Sequence, residues 1–203
     1  MKRSSLIVKA LATLMIVIPL FISVAPMFAV HGQQIPREDT VFIIGSEWGT
    51  VRNMNPYSGN PTPLWGYAYL PLFTYSALKD VWIPTLAERY EFVDPTTIRV
   101  YIRSEAQWSD GVPITAYDVE YTYYVTQQVG VGPGAGCGDY VAYIKAVGDK
   151  VIEAKIKDPP RNYYSFLSCV LIFRPLPKHV IQPIFEKEGK EAITKWDNVD
   201  PAT

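Results

Sequence analysis

The clearest pattern along the chain lies in its middle. Thr97-Ile98-Arg99-Val100-Tyr101-Ile102-Arg103 alternates apolar and polar positions, the period of a half-buried strand. Ser109-Asp110-Gly111 follows as turn chemistry, because Asp bonds nearby backbone and Gly tolerates positive φ. Pro113 fixes its own φ and holds Val112 extended. Thr115 is placed to cap a helix, with Asp118 at the third helical position, and the spacing predicts a helix from Ala116 to about Gln128. Trp108 is available to pack across this strand–turn–helix unit.

The same reading gives further elements. Val41–Gly45 is a short apolar run closed by Gly, a buried strand. Strands are expected at Ala142–Val147 and Val151–Ile156, joined by a Gly148-Asp149-Lys150 turn and ended by Pro159-Pro160. Short helices are expected over Tyr163–Cys169, His179–Gly189 and Glu191–Trp196. The aromatic run Trp65-Gly66-Tyr67-Ala68-Tyr69 reads as core, since aromatics at this density usually bury; a sugar-stacking platform is the rival reading. Gly130–Gly138 is a connecting loop. It follows a helix and lacks a Lys-Ser/Thr, so it is no phosphate loop.

Residues 1–30 stand apart. Lys2, Arg3 and Lys9 precede an apolar stretch over residues 10–30 broken by Pro19 and Pro26, which reads as an export signal, either a cleaved signal peptide or an N-terminal membrane anchor. No cysteine lies near its end for lipid attachment. The body is therefore extracytoplasmic, at the cell surface or in a periplasm. Of 19 basic residues three sit in this segment, so the body has fewer bases than its 20 acids. A mildly acidic body offers no electrostatic footprint for nucleic acid.

Candidate chemistry is sparse. The two histidines, His31 and His179, cannot build a His-rich zinc site, and no C-x-x-C, H-E-x-x-H or G-x-S-x-G occurs. Asp110 and Asp118 suit a turn and a cap better than an acid/base pair. No catalytic residue, metal or cofactor is expected. Cys137 and Cys169 form an even pair in an exported body, which points to a disulfide between the glycine loop and the 163–169 segment; the alternative is two separate thiols.

The string Trp108-Ser109-Asp110-Gly111-Val112-Pro113-Ile114-Thr115-Ala116-Tyr117-Asp118-Val119 resembles the segment that marks the family 5 extracellular solute-binding proteins, the oligopeptide and dipeptide receptors of ABC importers. Ile83–Phe92 is similar to that family's P-x-L-A-E-x-W/Y segment, and Pro175–Val180 to its P-K-H segment. Three matches in order, spanning roughly residues 40–200, are more specific than any short motif. The resemblance implies an α/β fold, periplasmic-binding-protein-like of type II. Residues 36–74 would begin the large lobe, 75–174 form an inserted small α+β lobe, and 175–203 return to the large lobe. The family's chains are much longer than 203 residues, so the expectation is a truncated or partial receptor.

By the same resemblance the motif residues Trp108, Asp110, Gly111, Pro113, Thr115, Ala116, Asp118 and Val119 are structural. The loop after the first strand lines the ligand cleft in the family, which places Glu47, Trp48, Gly49 and Asn55 as candidate ligand contacts. The implied ligand is a peptide, with an oligosaccharide as the alternative, and the implied partners are membrane permease subunits. A non-transport secreted scaffold is the reading from another class.

Overall fold

The computed structural model describes residues 54–58, 65–157 and 162–195. The chain divides into two compact units, Met1–Ile43 and Ile44–Thr203, and all described residues belong to the second. The strand Val41–Gly45, the segment over residues 1–30, and Glu47, Trp48 and Gly49 lie outside the described residues. So do Pro159-Pro160.

The described chain opens with a one-turn helix α1 (Trp65–Ala68) and a hairpin of β1 (Phe73–Ser76) and β2 (Val81–Pro84). Then come β3 (Ala87–Asp94), β4 (Thr97–Ile102), α2 (Ala116–Val129), a 3-10 turn (Ala135–Asp139), β5 (Val141–Gly148) and β6 (Val151–Ile156). Helices α3 (Tyr163–Leu171), α4 (Lys178–Glu188) and α5 (Lys190–Lys195) complete it.

Strands β3 to β6 form one antiparallel sheet in the order β3-β4-β6-β5. Its register aligns the inward side chains. Ile98 faces Ala154, and Ala154 faces Ile144; Val100 pairs with Ile152 and Tyr90; Ile102 pairs with Ala87. Because strand side chains alternate, this register puts Ile98, Val100, Ile102, Ile152, Ala154 and Ile156 on one buried face. Ala116, Val119 and Tyr123 of α2 and Phe166, Val170 and Leu171 of α3 join the same core. A slip of one residue would turn all of them to water.

The opposite face is a lattice of charge. Arg99 bonds Glu153 at 3.0 Å, and the Tyr143 hydroxyl donates to Glu153 at 3.1 Å. Arg89 pairs with Glu91 at 3.0 Å while its guanidinium lies 3.4 Å over the Tyr101 ring. Burial raises the Glu153 carboxyl, but the Arg99 and Tyr143 hydrogen bonds outweigh it and hold the group below its usual range.

A second, smaller cluster gathers Tyr57, Val125, Leu176, Ile181 and Ile193. Burial pushes the Tyr57 phenol well above its ordinary range. The glycine loop is fastened between the two clusters. Gly132 and Gly134 hold positive φ, and a Cβ would stand 2.6 Å from the Tyr57 ring at the first and 2.7 Å from the Phe173 ring at the second. Only glycine meets both demands. Cys137 in the 3-10 turn and Cys169 in α3 are joined in a disulfide with 5.6 Å between Cα atoms.

One expectation needs correction. Tyr67 is 62% exposed, so the aromatic run is not core throughout; a single helical turn cannot point Tyr67 and its neighbours to the same side. Three strands without a counterpart in the sequence reading lie within Phe73–Asp94, one of them an edge strand with charged residues at Glu88, Arg89 and Glu91.

Reducing the disulfide, or replacing both cysteines by serine, should cost about 2–4 kcal/mol of stability, read as a lower midpoint in denaturant. A midpoint unchanged by reduction would show that loop packing alone suffices. Carboxylates held low in the folded state contribute stability above their unfolded pKa and lose it as pH falls. Unfolding midpoints should therefore be flat near neutrality and drop below about pH 4.5. E153Q should flatten part of that acid limb, by less than about 1 kcal/mol because its partners are solvent-exposed.

Candidate functional site

The turn after β4 is built by its own side chains. Trp108 N–H donates to the Val112 carbonyl at 2.8 Å, and Gly111 N–H to the Trp108 carbonyl at 3.0 Å. Asp110 Oδ1 accepts from Val112 N–H at 3.0 Å. Gly111 stands at φ 86, a value that suits glycine. Gln107 bridges across to Pro113. The chain then enters α2 at Thr115, and Ala116 N–H is captured by the Asp149 carbonyl in the β5–β6 turn at 2.7 Å. Lys150 Nζ adds a 2.6 Å bond to the Ile114 carbonyl.

Asp118 is the centre of this junction. It is 4% exposed. Its Oδ2 accepts from the Thr115 N–H at 2.7 Å and the Thr115 hydroxyl at 2.8 Å, the return half of a capping box. Its Oδ1 accepts from the Lys178 backbone N–H at 2.9 Å, sixty residues away. Nearby, His179 Nε2 lies 2.7 Å from Asp110 Oδ2. The Val112 N–H and then His179 hold the Asp110 carboxyl below its usual range.

The stretch at 83–92 is tied to the same block. Arg103 Nε donates to the Thr85 carbonyl at 2.7 Å, and Arg103 N–H to the Leu86 carbonyl at 3.0 Å. The three stretches singled out by resemblance therefore converge. Trp108, Asp110, Gly111, Pro113, Thr115, Ala116, Asp118 and Val119 lie along one turn and helix start, with Ala116 and Val119 fully buried beneath it. Both aspartates are engaged by backbone donors, Asp110 by the Val112 N–H and Asp118 by those of Thr115 and Lys178.

Asn55 is wholly buried. Its amide donates to the Ile193 carbonyl at 2.7 Å and its oxygen accepts from Tyr57 N–H at 2.9 Å. The side chain thus pins residues 55–57 to α5. The bond to Ile193 has no signal in the sequence, being 138 residues distant.

Concavities are present among the described residues. One of about 350 Å³ lies between the glycine loop, the disulfide, Phe173 and Arg174; burial lowers the Arg174 guanidinium from its usual value. A second, about 290 Å³, lies between Tyr69 and Trp108. A third, about 220 Å³, lies beside Asp118, Lys178 and His179. No group of three or more His, Cys, Asp or Glu among the described residues could hold a metal ion. No helix among them is long and apolar enough to cross a membrane.

The chain is similar to known proteins. A family model described as "Bacterial extracellular solute-binding proteins, family 5 Middle" matches residues 81–203. The chain is 35% identical over 106 residues to the peptidoglycan-binding protein YepA of Agrobacterium fabrum, covering 51% of this chain and 17% of that protein. Among solved structures it is similar to a periplasmic oligopeptide-binding protein of an oligopeptide ABC transporter from Thermotoga maritima, with a TM-score of 0.65 and 28% identity over 77% of this chain and 28% of the other. The mannohexaose-bound form of that protein gives a TM-score of 0.62 and 27% identity, with the same coverage. The chain thus spans less than a third of the length of each of these relatives.

Replacing Asp118 by Ala should cost about 2–4 kcal/mol, because it removes half of the capping box and leaves the part-buried Thr115 and Lys178 N–H groups without acceptors. D110A, at an exposed pair, should cost far less than D118A. Equal losses on chemical denaturation would show that the buried junction has no special weight.

Proposed function

Because the chain belongs to the bacterial extracellular solute-binding proteins of family 5, we propose that it is part of the extracytoplasmic solute-binding component of an ABC importer, capturing peptides for uptake. The observation that carries this reading is the match over residues 81–203 together with the fold likeness to an oligopeptide-binding protein. Residues 1–30 direct export, as a signal peptide or an anchor. Residues 75–174, with the sheet and its two helices, are the inserted small lobe; the chain from 175 onward, with the Tyr57 cluster, belongs to the large lobe.

Capture in such a receptor is a population shift. Solute favours the closed arrangement because it touches both sides of the cleft, the two lobes assigned here on one side and the family's third, closing lobe on the other, and permease subunits read that closed form. In this scheme Glu47, Trp48 and Gly49 face the solute from the loop after the first strand. Asn55 holds the base of that loop to α5 through the Ile193 carbonyl, so its effect on binding passes through loop placement. An oligosaccharide is the second reading, favoured by the mannohexaose bound to the T. maritima relative.

The test is ligand-induced stabilisation of the product of the complete coding region. A mixture of short peptides at a hundred times Kd should raise stability by roughly 2.7 kcal/mol, while mannohexaose should leave it unchanged. Stabilisation by mannohexaose alone would replace the peptide reading with the oligosaccharide one. No response to either would remove solute capture.

A further inference from the structure

The sheet ends on β3, and the outer edge of that strand pairs with no other strand among the described residues. Ile102 N–H donates to the Lys150 carbonyl on the β6 side of β4, and Arg103 N–H to the Leu86 carbonyl on the β3 side. Backbone direction alternates along an antiparallel ladder, so Tyr101 and Arg99 face β3, where they pair with Arg89 and Glu91. Tyr90 and Phe92 therefore turn their N–H and C=O groups outward. The free stretch is bounded. Ala87 N–H is taken by the Leu72 carbonyl, and register shifts interrupt the ladder between Ala87 and Arg89 and between Phe92 and Asp94. Glu88, Arg89, Glu91, Phe92 and Val93 are all exposed along it. The Tyr101 hydroxyl and then Arg89 hold the Glu91 carboxyl below its usual range, so it is charged at neutral pH.

An edge of unmet backbone groups is a template for another strand, and charged side chains ordinarily guard it. On β3 the charges select a register instead. When a second β3 lies antiparallel about a two-fold axis at Tyr90, the two Tyr90 residues exchange both backbone bonds. Arg89 of each copy then stands opposite Glu91 of the other, in the non-hydrogen-bonded position where cross-strand side chains come closest. Moving the axis to Glu91 sets Glu91 against Glu91, and moving it to Arg89 sets Arg89 against Arg89; like charges directly opposite destabilise. An axis at Phe92 forms no ion pair. Arg89 and Glu91 already bond at 3.0 Å within the chain, yet their side chains remain 51% and 47% exposed. A guanidinium has five donors and a carboxylate about four acceptor sites, so each can take a second partner. We propose that β3 is a homodimer contact, in which two copies of this chain join their sheets edge to edge with Arg89–Glu91 ion pairs crossing in both directions. Two-fold pairing uses the β3 edge of both copies, so it closes at a dimer. The paired stretch is short for a stable interface, which makes the dimer a reversible one that forms as concentration rises. None of this depends on solute capture.

The experiment is sedimentation velocity on the product of the complete coding region, without ligand, over a rising concentration series. The expected result is a monomer that converts reversibly to a dimer. R89E and E91R should each weaken self-association about tenfold, since every ion pair across the contact becomes a like-charge pair. Mixed in equal amounts, R89E and E91R should recover the dimer, because one presents two acids at the edge and the other two bases. A fold defect in either variant is not repaired by mixing. Amide hydrogen exchange gives the residue-level reading. The N–H groups of Tyr90 and Phe92 should slow as concentration rises, while those of Arg89 and Glu91, already directed at β4, change little. A monomer at every concentration, a dimer indifferent to both variants, or variants that stay apart on mixing would overturn the proposal. So would Tyr90 and Phe92 amides that stay fast in the dimer, or that are already slow in the monomer because another segment of the chain covers the edge. Stabilisation by peptides is measured on its own, so the failure of this contact leaves the receptor reading standing and the failure of that reading leaves the contact.

Discussion

One buried carboxylate organises the described part of the chain. Asp118 accepts from Thr115 twice and from the Lys178 backbone N–H once. A carboxylate out of water is tolerable only when its oxygens are answered, so the turn before α2 and the chain entering α4 must both be present around it. The same group starts a helix near the favourable end of its dipole. Hydrophobic burial supplies most of the driving force, but it is indifferent to direction. The Asp118 bonds say where the return from residue 175 must dock.

Much of the sheet could be read from alternation alone. Thr97–Ile102 and Val151–Ile156 are observed as strands with every second side chain buried, and the helix from Ala116 runs to Val129. The β1–β2 hairpin and β3 were not legible in the sequence, for two physical reasons. β3 is an edge strand with bulges near both ends, so its pattern shifts phase between Ala87 and Asp94. The hairpin turns through Asp80 at φ 51, without the Asn-Gly or Asp-Gly pair that marks a tight turn. Tyr67 shows a further limit, since aromatic density does not say which ring faces inward.

The candidate site divides along a similar line. The motif residues were recognisable because a tight turn, a helix cap and a buried helix start each demand a particular residue type. Their local bonds were recognisable, but their distant partners were not: His179 lies 69 residues from Asp110 and Lys178 60 residues from Asp118. Those residues support the fold and say little about the solute. Asn55 illustrates the difference, since a polar residue in a loop invites a ligand role, yet its side chain is engaged with Ile193 and Tyr57.

Helix α2 joins the two buried clusters of the described residues. Its Ala116, Val119 and Tyr123 belong to the core beneath the sheet, while Val125 belongs to the cluster around Tyr57, with Tyr121 and Val129 packed against it. A helix buried on two sides has apolar residues around most of its circumference, so its amphipathic signal is weak even though it is central. Such a helix cannot slide relative to one cluster without disturbing the other, because close-packed interiors do not deform continuously. The Thr122 hydroxyl reinforces this by accepting from the Leu176 N–H at 2.9 Å. The sheet-bearing core and the Tyr57 cluster should therefore move together, and any closing motion must hinge outside the block formed by α2, Asp118 and the Lys178 N–H.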